Sequence, residues 1–177
     1  MGGFNTNGMG EVTDETILDG FTITGAFNDG GPSARGGGIY ATAGYPRIES
    51  CTITGNHTDG SGGGAYLDFQ GIYDPAIDVL RLTNCAITNN TAAQSGGGIL
   101  IFGRYEPPAV SIVRSSITDN SALDDHGGGV RVSVFDLSDP ADFIVELFNC
   151  RIERNDAVRD GGGMALSSDQ SVSERVS

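Results

Sequence analysis

The chain has 177 residues, the length of one domain, and 10 basic against 23 acidic residues give it a net charge of −13. A surface this acidic repels phosphate backbones and anionic membranes, which disfavours nucleic-acid binding. No apolar run approaches the roughly 18 residues that a membrane-spanning helix needs. Only 38% of the residues are apolar and 28 are glycine, yet the apolar residues recur at regular intervals.

A compound motif occurs five times along the chain. Each copy has a polar–Ile–polar step, and a triple glycine begins nine to thirteen residues after the isoleucine. The isoleucines are Ile23, Ile53, Ile87, Ile117 and Ile152, and the triple glycines are residues 36–38, 62–64, 96–98, 127–129 and 161–163. Internal repeats of this length are the signature of a solenoid.

Three short strands are predicted in each repeat. Mostly apolar residues stand two, five and seven positions before each isoleucine, and the shift from even to odd offset predicts a bend between two strands. A third strand follows each triple glycine, as at Ile99 and Ile101. Because such a unit cannot bury its own apolar face, we expect stacking into an all-β, right-handed parallel β-helix of about five rungs, a single domain over residues 1–177.

An asparagine follows four of the five isoleucines at a distance of three residues, at Asn56, Asn90, Asn120 and Asn155. In a stacked coil these amides can hydrogen-bond to one another and to the turn backbone. The sequence therefore predicts a structural amide ladder rather than a catalytic column.

The repeated motif, T-I-T-G-N followed by G-G-G and an apolar residue, covers residues 16–166. It resembles the right-handed parallel β-helix repeats of large bacterial surface and secreted proteins, such as the polymorphic outer-membrane-protein type, and more distantly the pectate-lyase-like helices. The resemblance implies an extracellular or cell-surface parent protein, of which this chain is expected to be a fragment. These repeats occur in adhesins, lyases, hydrolases and inert stalks, so the resemblance implies an architecture rather than an activity.

The three cysteines, Cys51, Cys85 and Cys150, fall in one inward column, in which Ser115 takes the fourth rung. Buried thiols that pack as small hydrophobic groups are the favoured interpretation. The alternative is a disulfide between Cys51 and Cys85, which leaves Cys150 free.

Insertions are predicted at the corner after the third strand, in residues 68–79, 103–109 and 133–144. This corner carries aromatic side chains beside carboxylates: Phe69, Tyr73, Tyr105, Phe135 and Glu106. Aromatic rings among carboxylates favour a sugar-binding shelf, and Tyr73, Tyr105, Phe135 and Glu106 are its candidate ligand-binding residues. The same residues also fit loops that pack over the side of the helix, and no spacing distinguishes the two.

A different column precedes the triple glycines, where Ser95, His126 and Asp160 occupy successive rungs. A nucleophile, a base and an orienting acid in this order define a candidate catalytic triad for ester hydrolysis, with glycine amides as oxyanion donors. Serine and aspartate are also common turn residues, which is the structural alternative.

Asp124, Asp125 and Asp156 lie near the same corner and form a candidate calcium site, because oxygen-rich clusters suit this ion. Asp125 also aligns with Arg159 on the next rung, and pairing between them would compete with a metal.

The leading hypothesis is a non-catalytic, secreted or surface β-helix segment that binds carbohydrate or acts as an adhesin, with a cell-surface glycan or polysaccharide as partner. The alternatives are the serine ester hydrolase and a polysaccharide lyase or glycosidase fragment. Exposed rung edges also predict end-to-end self-association.

Overall fold

The computed structural model describes residues 16–42, 45–70, 79–104, 109–135 and 144–168. Within these ranges each rung contributes four strands. The first two rungs contain β1 (Ile17–Asp19), β2 (Thr22–Thr24), β3 (Phe27–Asn28), β4 (Ile39–Thr42), β5 (Arg47–Glu49), β6 (Thr52–Thr54), β7 (His57–Thr58) and β8 (Ala65–Gln70). The third and fourth contain β9 (Val79–Thr83), β10 (Ala86–Thr88), β11 (Thr91–Ala92), β12 (Ile99–Arg104), β13 (Ala109–Val113), β14 (Ser116–Thr118), β15 (Ser121–Ala122) and β16 (Val130–Phe135). The fifth contains β17 (Val145–Phe148), β18 (Arg151–Glu153), β19 (Asp156–Ala157) and β20 (Met164–Ser168), and a 3-10 turn (Gly31–Ser33) precedes β4.

Equivalent strands of successive rungs pair in parallel and build four sheets of five strands each. The first sheet begins with β1, the second with β2, the third with β3 and the fourth with β4. Ile53, Ile87 and Ile117 pair in direct register, so the predicted all-β parallel solenoid is confirmed. The prediction of three strands per rung is wrong, because each rung has four. The additional strand belongs to the third sheet and has two residues, which is too short to show a period in the sequence.

The inward side chains form continuous apolar columns along the axis of the solenoid. Ile53, Ile87 and Ile117 are completely buried, as are Leu80 and Leu82 of the neighbouring sheet. Burial of one such side chain contributes about 1.5–3 kcal/mol relative to exposure, so stacking supplies the stability that an isolated rung lacks.

The sharp turn between the first and second sheets uses a left-handed backbone conformation in every rung. The residue there is Gly20 in the first rung, with φ 74°, and the later rungs place Ser50, Asn84, Arg114 and Asn149 in the same conformation. Glycine adopts this region without steric cost, whereas other residues do so at a cost.

The predicted asparagine ladder is present. Asn90 Oδ1 accepts hydrogen bonds from the backbone N–H of Asn56 at 3.0 Å and from its side-chain amide at 3.1 Å. Asn90 Nδ2 donates to the carbonyl of Ile53 at 2.9 Å and to Asn120 Oδ1 at 3.0 Å. Asn120 repeats this pattern toward Asn155, so each amide bonds both to its neighbours and to the backbone of the preceding rung.

The cysteine column contains free thiols. Cys85 Sγ donates to the carbonyl of Ile48 at 3.3 Å, and Cys150 Sγ donates to the carbonyl of Ile112 at 3.1 Å. Burial raises the pKa of the Cys85 thiol, which keeps it protonated and unreactive. The interpretation as buried thiols therefore describes Cys51 and Cys85, whereas Cys150 is half-buried.

Both ends of the described solenoid expose apolar side chains, including Phe21 and Phe27 in the first rung and Phe148 and Val158 in the fifth. The outermost strands of each sheet pair on one side only within the described residues. End-to-end self-association remains a prediction. The described residues contain no helix with the length and hydropathy that a membrane crossing requires.

Candidate functional site

The corner that precedes the triple glycines differs in the fourth rung. Gly127 lies ten positions after Ile117, whereas the corresponding glycines of the third and fifth rungs lie nine positions after their isoleucines. The backbone N–H of Gly96 bonds to the carbonyl of His126, and that of Arg159 bonds to the carbonyl of Asp125. Asp124 is therefore the extra residue, and it bulges outward as an exposed side chain.

The bulge places Asp125 between the serine and the histidine of the predicted triad. Ser95 Oγ donates to Asp125 Oδ2 at 2.7 Å, and His126 Nε2 lies 3.0 Å from Asp125 Oδ1. His126 Nδ1 accepts a hydrogen bond from the backbone N–H of Asp160 at 3.2 Å and lies 3.4 Å from its Oδ2. The structure thus brings Ser95, His126 and Asp160 into one cluster and adds Asp125 as its central member.

The hydrogen bonds of this cluster differ from those of a catalytic triad. A serine hydroxyl can donate one hydrogen bond, and Ser95 donates it to Asp125 rather than to His126. Because His126 Nδ1 is an acceptor, the network assigns the ring proton to Nε2, where it faces Asp125. In this arrangement His126 holds no free nitrogen toward Ser95 that could take up its proton.

Arginines partly neutralise the carboxylates of this cluster. Arg159 Nη1 lies 3.7 Å from Asp125 Oδ1, as its position in the sequence predicted. Burial lowers the pKa of the Arg131 guanidinium, and the charges of Asp125 and Asp160 oppose this effect. Arg131 also donates to Ser167 at 2.8 Å.

Asp156, the third residue of the calcium hypothesis, begins β19 and pairs in register with Ser121, three residues before Arg159. Asp125 already contacts Ser95, His126 and Arg159. In the part of the chain that the structure describes, no group of three or more His, Cys, Asp or Glu side chains is placed to hold a metal ion. Calcium binding by Asp124, Asp125 and Asp156 stays a prediction without structural support.

A second feature lies on the outer face of the fourth sheet, where four aromatic rings follow one another across four rungs. We call Tyr40, Tyr66, Phe102 and Phe135 the aromatic row. The ring centroids are 5.7 Å apart between Tyr40 and Tyr66, 6.5 Å between Tyr66 and Phe102 and 5.5 Å between Phe102 and Phe135. Tyr66 is buried, Tyr40 and Phe102 are half-buried, and Phe135 is exposed.

Charged groups flank one end of the aromatic row. The guanidinium of Arg35 lies 5.3 Å from the ring centroid of Tyr66, donates to Tyr40 Oη at 3.2 Å and pairs with Asp68 Oδ2 at 3.2 Å. Asp68 is only 1% exposed. Burial raises the pKa of Tyr66 to about 12, and the charge of Arg35 opposes the shift. Tyr66 is therefore a neutral phenol at physiological pH.

Of the residues predicted for sugar binding, Phe135 lies at the end of the aromatic row, whereas Tyr73, Tyr105 and Glu106 lie outside the described residues. Placing Phe69 at an insertion corner was wrong, because β8 continues to Gln70. Phe69 faces inward, is 2% exposed and stacks on Tyr45 with centroids 5.1 Å apart.

The sequence reasoning missed Tyr40, Tyr66 and Phe102. These residues occupy outward positions of the strands that follow the triple glycines, between the inward residues that the repeat pattern selected. An aromatic residue at an outward position was the available signal.

The fold and these two clusters define the chain as a parallel β-solenoid repeat protein. Comparison with protein-family models, with curated proteins and with solved structures found no match for this chain. Its class therefore rests on the strand pairing and on the stacked columns of its own residues.

Proposed function

We propose that this chain is a non-catalytic β-helix segment of a secreted or cell-surface protein and that it binds carbohydrate through the aromatic row. The single observation that carries the proposal is the continuous run of four rings on an outer sheet face, where most residues of a solenoid are polar. Phe102 and Phe135 retain accessible ring surface. The surface and secreted β-helix repeats that the sequence resembles support the location.

The chemistry of the row suits a sugar. A flat aromatic ring offers an apolar face to the C–H groups of a pyranose, and neighbouring polar groups fix its hydroxyls. Arg35 supplies N–H donors beside Tyr40 at the polar end of the row. A glycan that lies across the rungs therefore meets an apolar face and donors on one surface.

Replacing both Phe102 and Phe135 by alanine is expected to weaken glycan binding roughly tenfold to a hundredfold, because two ring contacts contribute about 0.5–1.5 kcal/mol each. Binding is measured on a glycan array and by depletion onto insoluble polysaccharides. Phe21→Ala is the matched control, since Phe21 is 56% exposed but lies outside the row. Equal losses in the control and in the double variant, or no binding by the native protein, would contradict the proposal.

A serine ester hydrolase is the second candidate, favoured by the continuous contacts from Ser95 through Asp125 and His126 to Asp160. Because the Ser95 hydroxyl donates its hydrogen bond to Asp125 and not to His126, we expect p-nitrophenyl acetate hydrolysis to be equal in the native protein and in Ser95→Ala. Ser61→Ala, in the same column one rung earlier, is the matched control. Turnover that Ser95→Ala abolishes and Ser61→Ala preserves would establish the hydrolase instead.

A further inference from the structure

A shallow groove of about 360 Å³ follows the turn between the first and second sheets. Four rungs contribute to it, so it runs along the axis of the solenoid. Its lining consists mainly of hydroxyl, amide and guanidinium groups, including Thr52, Asn84, Arg114, Ser116, Asn149 and Arg151. The groove lies on different sheets from the aromatic row and shares no lining residue with it.

The charge of the groove is opposite to that of the whole chain. The lining that the described residues form contains two arginines and no carboxylate, although the chain carries a net charge of −13. Arg151 is occupied by an ion pair with Glu153. Arg114 is exposed, and among the described residues its guanidinium takes part in no ion pair. The groove therefore offers one free cation among neutral hydrogen-bonding groups.

The backbone conformation at Arg114 is unfavourable for an arginine. Arg114 adopts φ 49°, in the left-handed region, at the turn position that Gly20 occupies in the first rung. Glycine is the residue with the lowest steric cost there. Ser50, Asn84 and Asn149 adopt the same conformation in the other rungs, so the conformation belongs to the turn. What distinguishes this rung is that the turn carries an exposed guanidinium that is unpaired among the described residues.

We propose that the groove binds a carboxylate or sulfate group carried by a small polar ligand such as a sugar acid or a sugar sulfate. A guanidinium binds such a group through two parallel N–H donors. The hydroxyls of Thr52 and Ser116 and the amide of Asn84 line the same groove and supply further donors to the ligand. The site is independent of the carbohydrate binding proposed for the aromatic row.

The test is an NMR titration of the isotope-labelled protein with glucose 6-sulfate, with glucuronate and with glucose. The two anionic probes are expected to shift the backbone amide signals of Asn84, Arg114 and Ser116, and glucose is expected to leave them unchanged. Arg114→Gln is expected to weaken binding of the anionic probes by roughly tenfold or more, since a charge-assisted pair is lost. Arg81→Gln removes the same charge from the first sheet outside the groove and is expected to retain binding.

Arg114→Gly separates a binding role from a structural one. Because glycine relieves the left-handed backbone, this variant is expected to have a higher urea midpoint than the native protein while it loses the anion-dependent shifts. The proposal is overturned if the native protein shows no shifts at the groove, if Arg81→Gln weakens binding as much as Arg114→Gln, or if Arg114→Gly binds normally. Variants of Phe102 and Phe135, which do not line the groove, are expected to leave these shifts unchanged, so that failure of either proposal is visible separately.

Discussion

Replacing Gly98 by alanine is expected to destabilise the protein by about 3 kcal/mol or more, because the added methyl group has no space between two rungs. A Cβ at this position would lie 2.5 Å from the carbonyl oxygen of Gly129 and 3.1 Å from the side-chain amide of Asn120. One obstacle is backbone and the other belongs to the buried ladder, so neither moves without disturbing the stack. The measurement is the urea midpoint followed by circular dichroism.

Gly163 provides the matched control for this substitution. It is the third glycine of its triplet, as Gly98 is, but it lies in the last described rung. Among the described residues, the only neighbour within 4 Å of an added Cβ is Ile152 Cγ2 at 3.3 Å. Gly163→Ala is therefore expected to change the stability by less than about 1 kcal/mol. Equal effects at the two sites would mean that rung stacking is not the reason for the glycine.

Hydrogen exchange adds a spatial readout to the Gly98 variant. Stability in a solenoid is approximately a sum over rungs and their interfaces. The backbone N–H of Ile99 bonds to the carbonyl of Gly129 at 2.9 Å, across the interface that the methyl group disturbs. We expect this amide to lose protection first, whereas Ala65, which bonds to Gly98 from the second rung, is affected less.

The columns of the solenoid could be predicted from the sequence because each one repeats a residue type at a fixed offset. The isoleucine, asparagine and cysteine columns all lie in the expected register, with Ile87 between Ile53 and Ile117. The third sheet could not be predicted, since a two-residue strand such as Thr91–Ala92 shows no alternation.

The candidate sites were less predictable, because they depend on departures from the repeat. Alignment on the triple glycines correctly placed Ser95, His126 and Asp160 on successive rungs. It did not reveal that one extra residue, Asp124, turns the Asp125 carboxylate toward Ser95. Side-chain direction at a bulge depends on local backbone geometry, which a column alignment does not contain.

Replacing Asn90 by alanine is expected to destabilise the protein by about 3–5 kcal/mol, because two buried backbone groups lose their partners. Asn90 is completely buried, accepts from the N–H of Asn56 and donates to the carbonyl of Ile53. Chemical unfolding monitored by circular dichroism gives the change in the free energy of unfolding. The neighbouring residue supplies the control: Asn89 is exposed at φ 57°, so Asn89→Gly is expected to be neutral or slightly stabilising.

Asn90→Asp tests whether the donor half of the ladder matters. The introduced carboxylate keeps the acceptor for Asn56 but faces the carbonyl of Ile53 and Asn120 Oδ1, which now receive no hydrogen bond. Burial and these oxygens raise the pKa of the introduced carboxyl above its unfolded value of about 3.9. The folded state then binds the proton more tightly than the unfolded state, so stability falls as the pH rises through this window. We expect the midpoint of Asn90→Asp, relative to the native protein, to recover partly in acid, whereas that of Asn90→Ala does not. Parallel pH profiles for the two variants would show that the ladder requires only an acceptor.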